Sequence, residues 1–198
     1  MPAESPIDHF AALGLPRRPW LEAETLRERL RAATMAEHPD RGGDPKAFAG
    51  VNAAYAVLRE VGSRVRHLLD LEDPRALQQL SSAPPAGLAD HFMAIAQWRS
   101  RAAALETKLA SAGSPLERAL LAGERHSVAE GVKGALVELD TLREKALDSL
   151  RAEDRLWENR DLEAAARLAG LVQALAFLDR WMAQLRETLV RLEIGAVS

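Results

Sequence analysis

The tripeptide His38-Pro39-Asp40 places an imidazole and a carboxylate on either side of one proline, in a chain whose other ionisable side chains mostly follow helical patterns. Pro39 disfavours helix at His38 and stiffens the turn, so both side chains are carried outward on a loop. Asp40 is then available to a cationic side chain on a second molecule through charge-assisted hydrogen bonds. Taken alone, the three residues also read as a capped turn in which Asp40 satisfies backbone donors. They do not make a metal site, because no second pair of ligands lies at helical spacing nearby. Gly42-Gly43 is too short for a phosphate loop and lacks the following Lys and Ser/Thr. His9, His67, His91 and His126 are scattered without ligand spacing, and Glu106, Glu138 and Glu163 follow helix surfaces. There is no cysteine, which excludes disulfides, thiolate zinc sites, cysteine catalysis and iron–sulfur ligation by this chain. The chemistry expected is docking: no catalytic residues, no metal and no cofactor.

Composition limits what carries that loop. The 198 residues suit one domain or two small ones. With 47% hydrophobic and 28% charged residues, a packed core is affordable and general disorder is not expected. Aromatics amount to only 5%, and Ala, Leu, Arg and Glu outnumber β-branched residues, which favours an all-α fold. No apolar run approaches ~18 residues, so no membrane span is expected. Met1-Pro2-Ala3-Glu4 lacks the basic start of an export signal, and with the missing cysteines it fits a cytoplasmic location. A net charge of -3 gives no reason to expect nucleic-acid binding.

The elements follow from punctuation and periodicity. Short helices are predicted over Ile7 to Leu13, Ala23 to Glu37, Pro45 through Leu58, and after Gly62-Ser63. Ser81 to Gly87, with two adjacent prolines, reads as a linker. Three longer helices follow, broken at Gly113-Ser114-Pro115 and near Asn159. The last carries Leu168, Leu171, Leu175, Leu178, Met182, Leu185, Leu189 and Leu192 at alternating spacings of three and four, a seam that wants a helical partner. The middle helix repeats the spacing from Val128 to Leu150, and the first shows Leu88, Phe92, Ile95 and Trp98. An antiparallel three-helix bundle satisfies all three; a long coiled-coil dimer is the competing architecture.

With Asp8-His9-Phe10, Leu13-Gly14-Leu15, and then Phe48, Val51-Asn52, Ala54-Tyr55 and Val57-Leu58 around it, the His-Pro-Asp tripeptide closely resembles that of a J-domain. The J-domain is the module by which DnaJ-type co-chaperones stimulate a heat-shock ATPase. That resemblance implies a helical hairpin closed by the loop. It also implies a chaperone-binding surface of His38, Pro39 and Asp40 with Arg27, Arg31 and Arg41 beside them. Ala36, Glu37 and Glu28 make this face less basic than is usual in the family, and an ordinary solvated face is the plain alternative for the arginines.

Gly/Phe-rich and cysteine-repeat segments are absent. Instead, Ser63 to Leu71 is similar to the close of the J-domain in the HscB iron–sulfur co-chaperone family. Trp157, Leu162 to Ala166, Leu175, Phe177 to Arg180 and Leu185 look like that family's last two helices. The resemblance implies a J-domain over residues 1–75, a linker over 76–87 and a client-binding bundle over 88–198. It names as partners a heat-shock ATPase of the HscA/DnaK class and an iron–sulfur cluster scaffold protein, with the client patch on Phe92, Met93, Ala96 and Phe177. Spacing agrees in part: Met93 and Ala96 fall off the buried stripe, and Phe177 falls off the leucine seam one turn from Trp181. A wider core is the competing reading, above all for Phe92. The helix continues Gln97-Trp98-Arg99-Ser100-Arg101 where the family tends to be acidic. From a different class, the chain also reads as a J-like scaffold or coiled-coil interaction protein with a vestigial loop and another client.

Overall fold

A computed structural model describes residues 7–157 and 163–194, with the side chains of Arg41 and Ala86 outside the description. Among the described residues all regular structure is helical, as composition predicts. Four short helices come first: α1 His9–Ala12, α2 Ala23–Ala36, α3 Pro45–Arg59 and α4 Val61–Glu72. After α5, Pro74–Gln78, come three long ones: α6 Ala89–Ser111, α7 Pro115–Leu156 and α8 Ala164–Ile194. The break expected near Asn159 lies outside the described residues.

Local chemistry sets most of the boundaries. Asp8 caps α1 by accepting from the N–H groups of Phe10 and Ala11, and Gly14 ends it at φ 61. Asp44 caps α3 and Asp73 caps α5, each followed by proline at the first helical position. α7 opens on a capping box, in which Glu117 N–H donates to Ser114 Oγ while Glu117 Oε2 accepts from Ser114 and Gly113. Those bonds hold the Glu117 carboxyl below its ordinary pKa.

The chain forms two compact units, and neither is one stretch of sequence. The first combines residues 1–81 with Leu147–Val172; the second combines residues 82–146 with 173–198. A contiguous division near residue 80 therefore describes only part of the arrangement. Leu150, Trp157, Ala164, Leu168, Ala169 and Val172 are buried in one core with Phe10, Leu26, Val51, Ala54, Leu58, Val65 and Leu68. α5 belongs to the first unit as well and buries Ala76, so residues 74–78 are helix where a linker is expected from residue 76.

Polar contacts explain why the distant segment joins the first unit. Residues Pro16 to Glu22 are irregular, and their backbone groups need partners. The Arg64 guanidinium, only 3% exposed, donates to the carbonyls of Pro19 and Leu58. Burial lowers its pKa to about 10. The Trp157 indole donates to the Arg17 carbonyl at 2.9 Å. Asp154 accepts from Arg18 at 3.0 Å and from the Trp20 N–H at 3.1 Å. Arg151 stacks over the Trp20 ring at 4.4 Å.

In the second unit α6 and α8 run parallel, with α7 antiparallel to both. Phe92 lies beside Trp181, Arg99 beside Gln184 and Glu106 beside Arg191, whereas Lys108 meets Glu124 and Arg143 meets Asp179. The leucine seam finds its partners within the chain: Leu168 and Leu171 serve the first core, and Leu178, Met182, Leu185, Leu189 and Leu192 serve the second. On α7, Gly131 leaves the space that the Trp98 ring fills, and a Cβ there would overlap the indole.

Two outcomes follow for the first unit. Asp154→Ala removes the carboxylate that accepts from Arg18 and from the Trp20 N–H, and should cost about 2 kcal/mol in urea unfolding. The second concerns His67, whose Nε2 accepts the His9 N–H at 3.0 Å and must be unprotonated to do so. Burial first, then the neighbouring His9, lower the His67 pKa below its ordinary 6.5. As pH falls through about 6.5 the unfolded chain takes up this proton before the folded one, so stability is lost in that window. The melting temperature should drop more steeply below pH 6.5 in the parent than in His67→Gln, whose amide oxygen accepts the same bond without titrating.

Candidate functional site

The His-Pro-Asp loop closes the α2–α3 hairpin. α2 ends at Ala36, and a single 3₁₀ turn, Pro39–Arg41, begins immediately after His38. The His38 ring caps that turn: its Nδ1 accepts the Asp40 N–H at 3.2 Å. Nδ1 also lies 3.7 Å from the Asp40 carboxylate, but its lone pair is already engaged. The neutral ring therefore carries its proton on Nε2. Asp40 has a side chain 88% exposed, so its carboxylate stands open to solvent. The edge of His38 rests against Phe48 of α3, with ring centroids 5.6 Å apart. Thr34, Met35, His38 and Asp40 line a shallow depression of about 280 Å³.

Two glycines that look unsuited to phosphate binding turn out to shape the loop. Gly42 adopts φ 84, a left-handed conformation, and returns its N–H to the Pro39 carbonyl. Gly43 donates to the His38 carbonyl and passes so close to Glu37 that a Cβ would overlap the Glu37 carbonyl and stand 2.7 Å from its Cα. The signal was present in Pro39 to Pro45, a run of turn formers, but only the backbone crossing shows which glycine is sterically required.

On α2, Arg27 and Arg31 share a face with Glu24. Arg27 bonds its carboxylate at 2.6 Å, while Arg31 stands 3.7 Å away. The Arg27 bond lowers the Glu24 pKa and raises that of Arg27. The face keeps a net positive charge but is partly neutralised from within. The side chain of Arg41 lies outside the described residues. The structure thus brings His38, Pro39 and Asp40 together at the loop and sets Arg27 and Arg31 on the preceding helix.

The other candidate residues lie in the second unit. Phe92 and Met93 are 46% and 58% exposed, and Ala96 is exposed one turn on. Phe92 is therefore a surface residue, although its spacing with Leu88, Ile95 and Trp98 had placed it on the buried stripe. Trp181, 3% exposed, occupies the interior instead. Its ring lies 6.0 Å from Phe92 and 5.5 Å from Phe177, which is half-buried. Phe92 of α6 and Phe177 of α8 thus flank one buried tryptophan, with Met93 and Ala96 exposed beside Phe92 on α6. Among the described residues no cluster of His, Asp or Glu could hold a metal ion, and no helix is long and apolar enough to cross a membrane.

Comparison with known proteins bears on this arrangement. Chaperone HscB from Vibrio cholerae superposes over 94% of this chain and 99% of its own length, with a TM-score of 0.54 at 18% identity. A co-chaperone protein HscB homolog from Chromobacterium violaceum is 33% identical over 101 residues, 46% of this chain and 56% of the relative. The fold is HscB-like. A chaperone protein dnaJ of Oryza sativa subsp. japonica is 31% identical over 64 residues, 32% of this chain and 15% of the relative. Both matches span less than two thirds of the relative's own length. No protein-family model matches the chain.

Gly43→Ala should displace the loop and cost roughly 1–3 kcal/mol. The amide resonances of residues 38–44 should move while those of α6 stay in place, as read by heteronuclear NMR.

Proposed function

We propose that this protein is a J-domain co-chaperone. Its loop docks on a heat-shock ATPase of the HscA/DnaK class and hastens ATP hydrolysis there, while the apolar surface of the second unit presents a client. The observation that carries this reading is the outward Asp40 carboxylate on a turn capped by His38. It offers a charge-assisted acceptor, and Arg27 and Arg31 add cationic contacts on the preceding helix. The names of the relatives, HscB and dnaJ, support the class.

Such a protein needs no active site of its own. It biases the conformational equilibrium of its partner, and the phosphoryl chemistry belongs to that partner. For the client we favour an iron–sulfur cluster scaffold protein, on the HscB-like fold and on the exposed Phe92, Met93 and Ala96 beside Phe177. A chain without cysteine would then act on the protein holding the cluster, as an adaptor of the cytoplasm.

Asp40→Asn tests the loop. The variant keeps its size and fold but loses the charge, and stimulation of a DnaK/HscA-class ATPase should fall by about tenfold or more. Unchanged stimulation, or none by the parent chain, would overturn the co-chaperone reading and leave a helical scaffold with a vestigial loop.

A further inference from the structure

On the reading of the Phe92–Phe177 surface as the client-docking surface, we propose that the segment it receives is acidic: an apolar side chain flanked by carboxylates. The argument rests on the charges around that surface. Along the shared flank of α6 and α8 the cations fall into two kinds. At one end Arg191 is closed by Glu106 at 3.2 Å and by Glu187 at 2.7 Å. Beside the apolar surface Arg99 donates to the amide oxygen of Gln184, and Arg180 lies over the Phe177 ring at 5.3 Å. Among the described residues neither guanidinium has a carboxylate partner. Asp179, next to Arg180 in sequence, is engaged by Arg143 at 2.8 Å. Elsewhere in this unit Lys108 is answered by Glu124 and Lys133 by Glu130, while Arg101, farther along α6, lies over the Trp98 ring at 4.8 Å.

The contrast fixes what can cover the surface favourably. Arg99 lies seven residues after Phe92, two helical turns along the same flank, and Arg180 lies three after Phe177, so each cation borders the aromatic on its own helix. A partner that brought only apolar groups would strip water from two guanidinium ions and return nothing, which is unfavourable. A partner that set carboxylates against them would gain planar, two-bonded contacts that guanidinium groups make well. A lysine-rich partner would meet like charge and be rejected. The aromatic cluster supplies contact area, and the two arginines select the sign of the client.

The test uses the full chain and short labelled peptides with a central Leu-Phe pair flanked by Glu, Gln or Lys, read by fluorescence anisotropy. Glu-flanked peptide should bind about tenfold more tightly than Lys-flanked peptide. That gap should close in Arg99→Gln/Arg180→Gln, with an unchanged melting temperature, and 0.5 M salt (roughly a 4 Å screening length) should narrow it in the parent. Equal binding of the three peptides, a preference surviving in the double variant, or binding only to phosphatidylglycerol vesicles would each overturn the proposal. So would failure of all three peptides to bind. Phe92→Ser separates the two readings: loss of binding without any charge preference defeats the acidic client but keeps the apolar surface. Acid-selective, Phe92-dependent binding by a chain that stimulates no ATPase would support the acidic client while the co-chaperone reading fails.

Discussion

A buried, irregular stretch of backbone cannot leave its amides and carbonyls unanswered. The partly buried residues Pro16 to Glu22 impose that demand here, because Leu15, Pro19 and Leu21 are buried while the prolines keep the segment out of helix. The partners come from far along the chain: Arg64, 45 residues from Pro19, and Trp157, 140 residues from Arg17. Burying the Arg64 guanidinium is costly, and two carbonyl bonds together with attraction from Asp154 and Glu60 offset the cost. Because this segment leads directly into α2, the same contacts position the helix whose far end carries the His-Pro-Asp loop. Remote side chains thus support the loop without touching it.

The loop is fixed locally by complementary devices. Pro39 removes helical freedom before the turn, and His38 satisfies the first exposed N–H within it. Gly42 supplies the reversal, while Gly43 lets two backbone segments cross. Phe48 then supports the imidazole from the next helix. These contacts leave the carboxylate as the least constrained group, a sensible arrangement for one whose partner is to come from outside.

Sequence patterns carried much of this, and their failures have physical causes. α2 and α3 lie within a residue of their predicted ends because proline and Asp44 mark them plainly. α1 is shorter than predicted, since its Asp8 cap and the left-handed Gly14 leave room for one turn. α5 was missed although Asp73-Pro74 is a cap followed by a first-turn proline. The apolar surface was legible at Met93 and Ala96, which no periodic stripe claimed. Phe92 misled because helical spacing gives the direction of a side chain but not the size of its neighbour, and Trp181 had filled the interior. The joining of Leu147–Val172 to the first unit was beyond any periodicity, since an indole-to-carbonyl bond leaves no repeat in a sequence.

The indole of Trp98 resting on Gly131 reverses a familiar rule of thermostabilisation. Replacing a mid-helix glycine by alanine ordinarily gains about 1 kcal/mol. α7 offers three such positions, and around Gly123 and Gly134 a new methyl group meets open space. Gly131 is the exception, because its missing side chain is the socket for another helix's ring. A scheme that treated the three alike would tighten the helix at two sites and pry the bundle apart at the third.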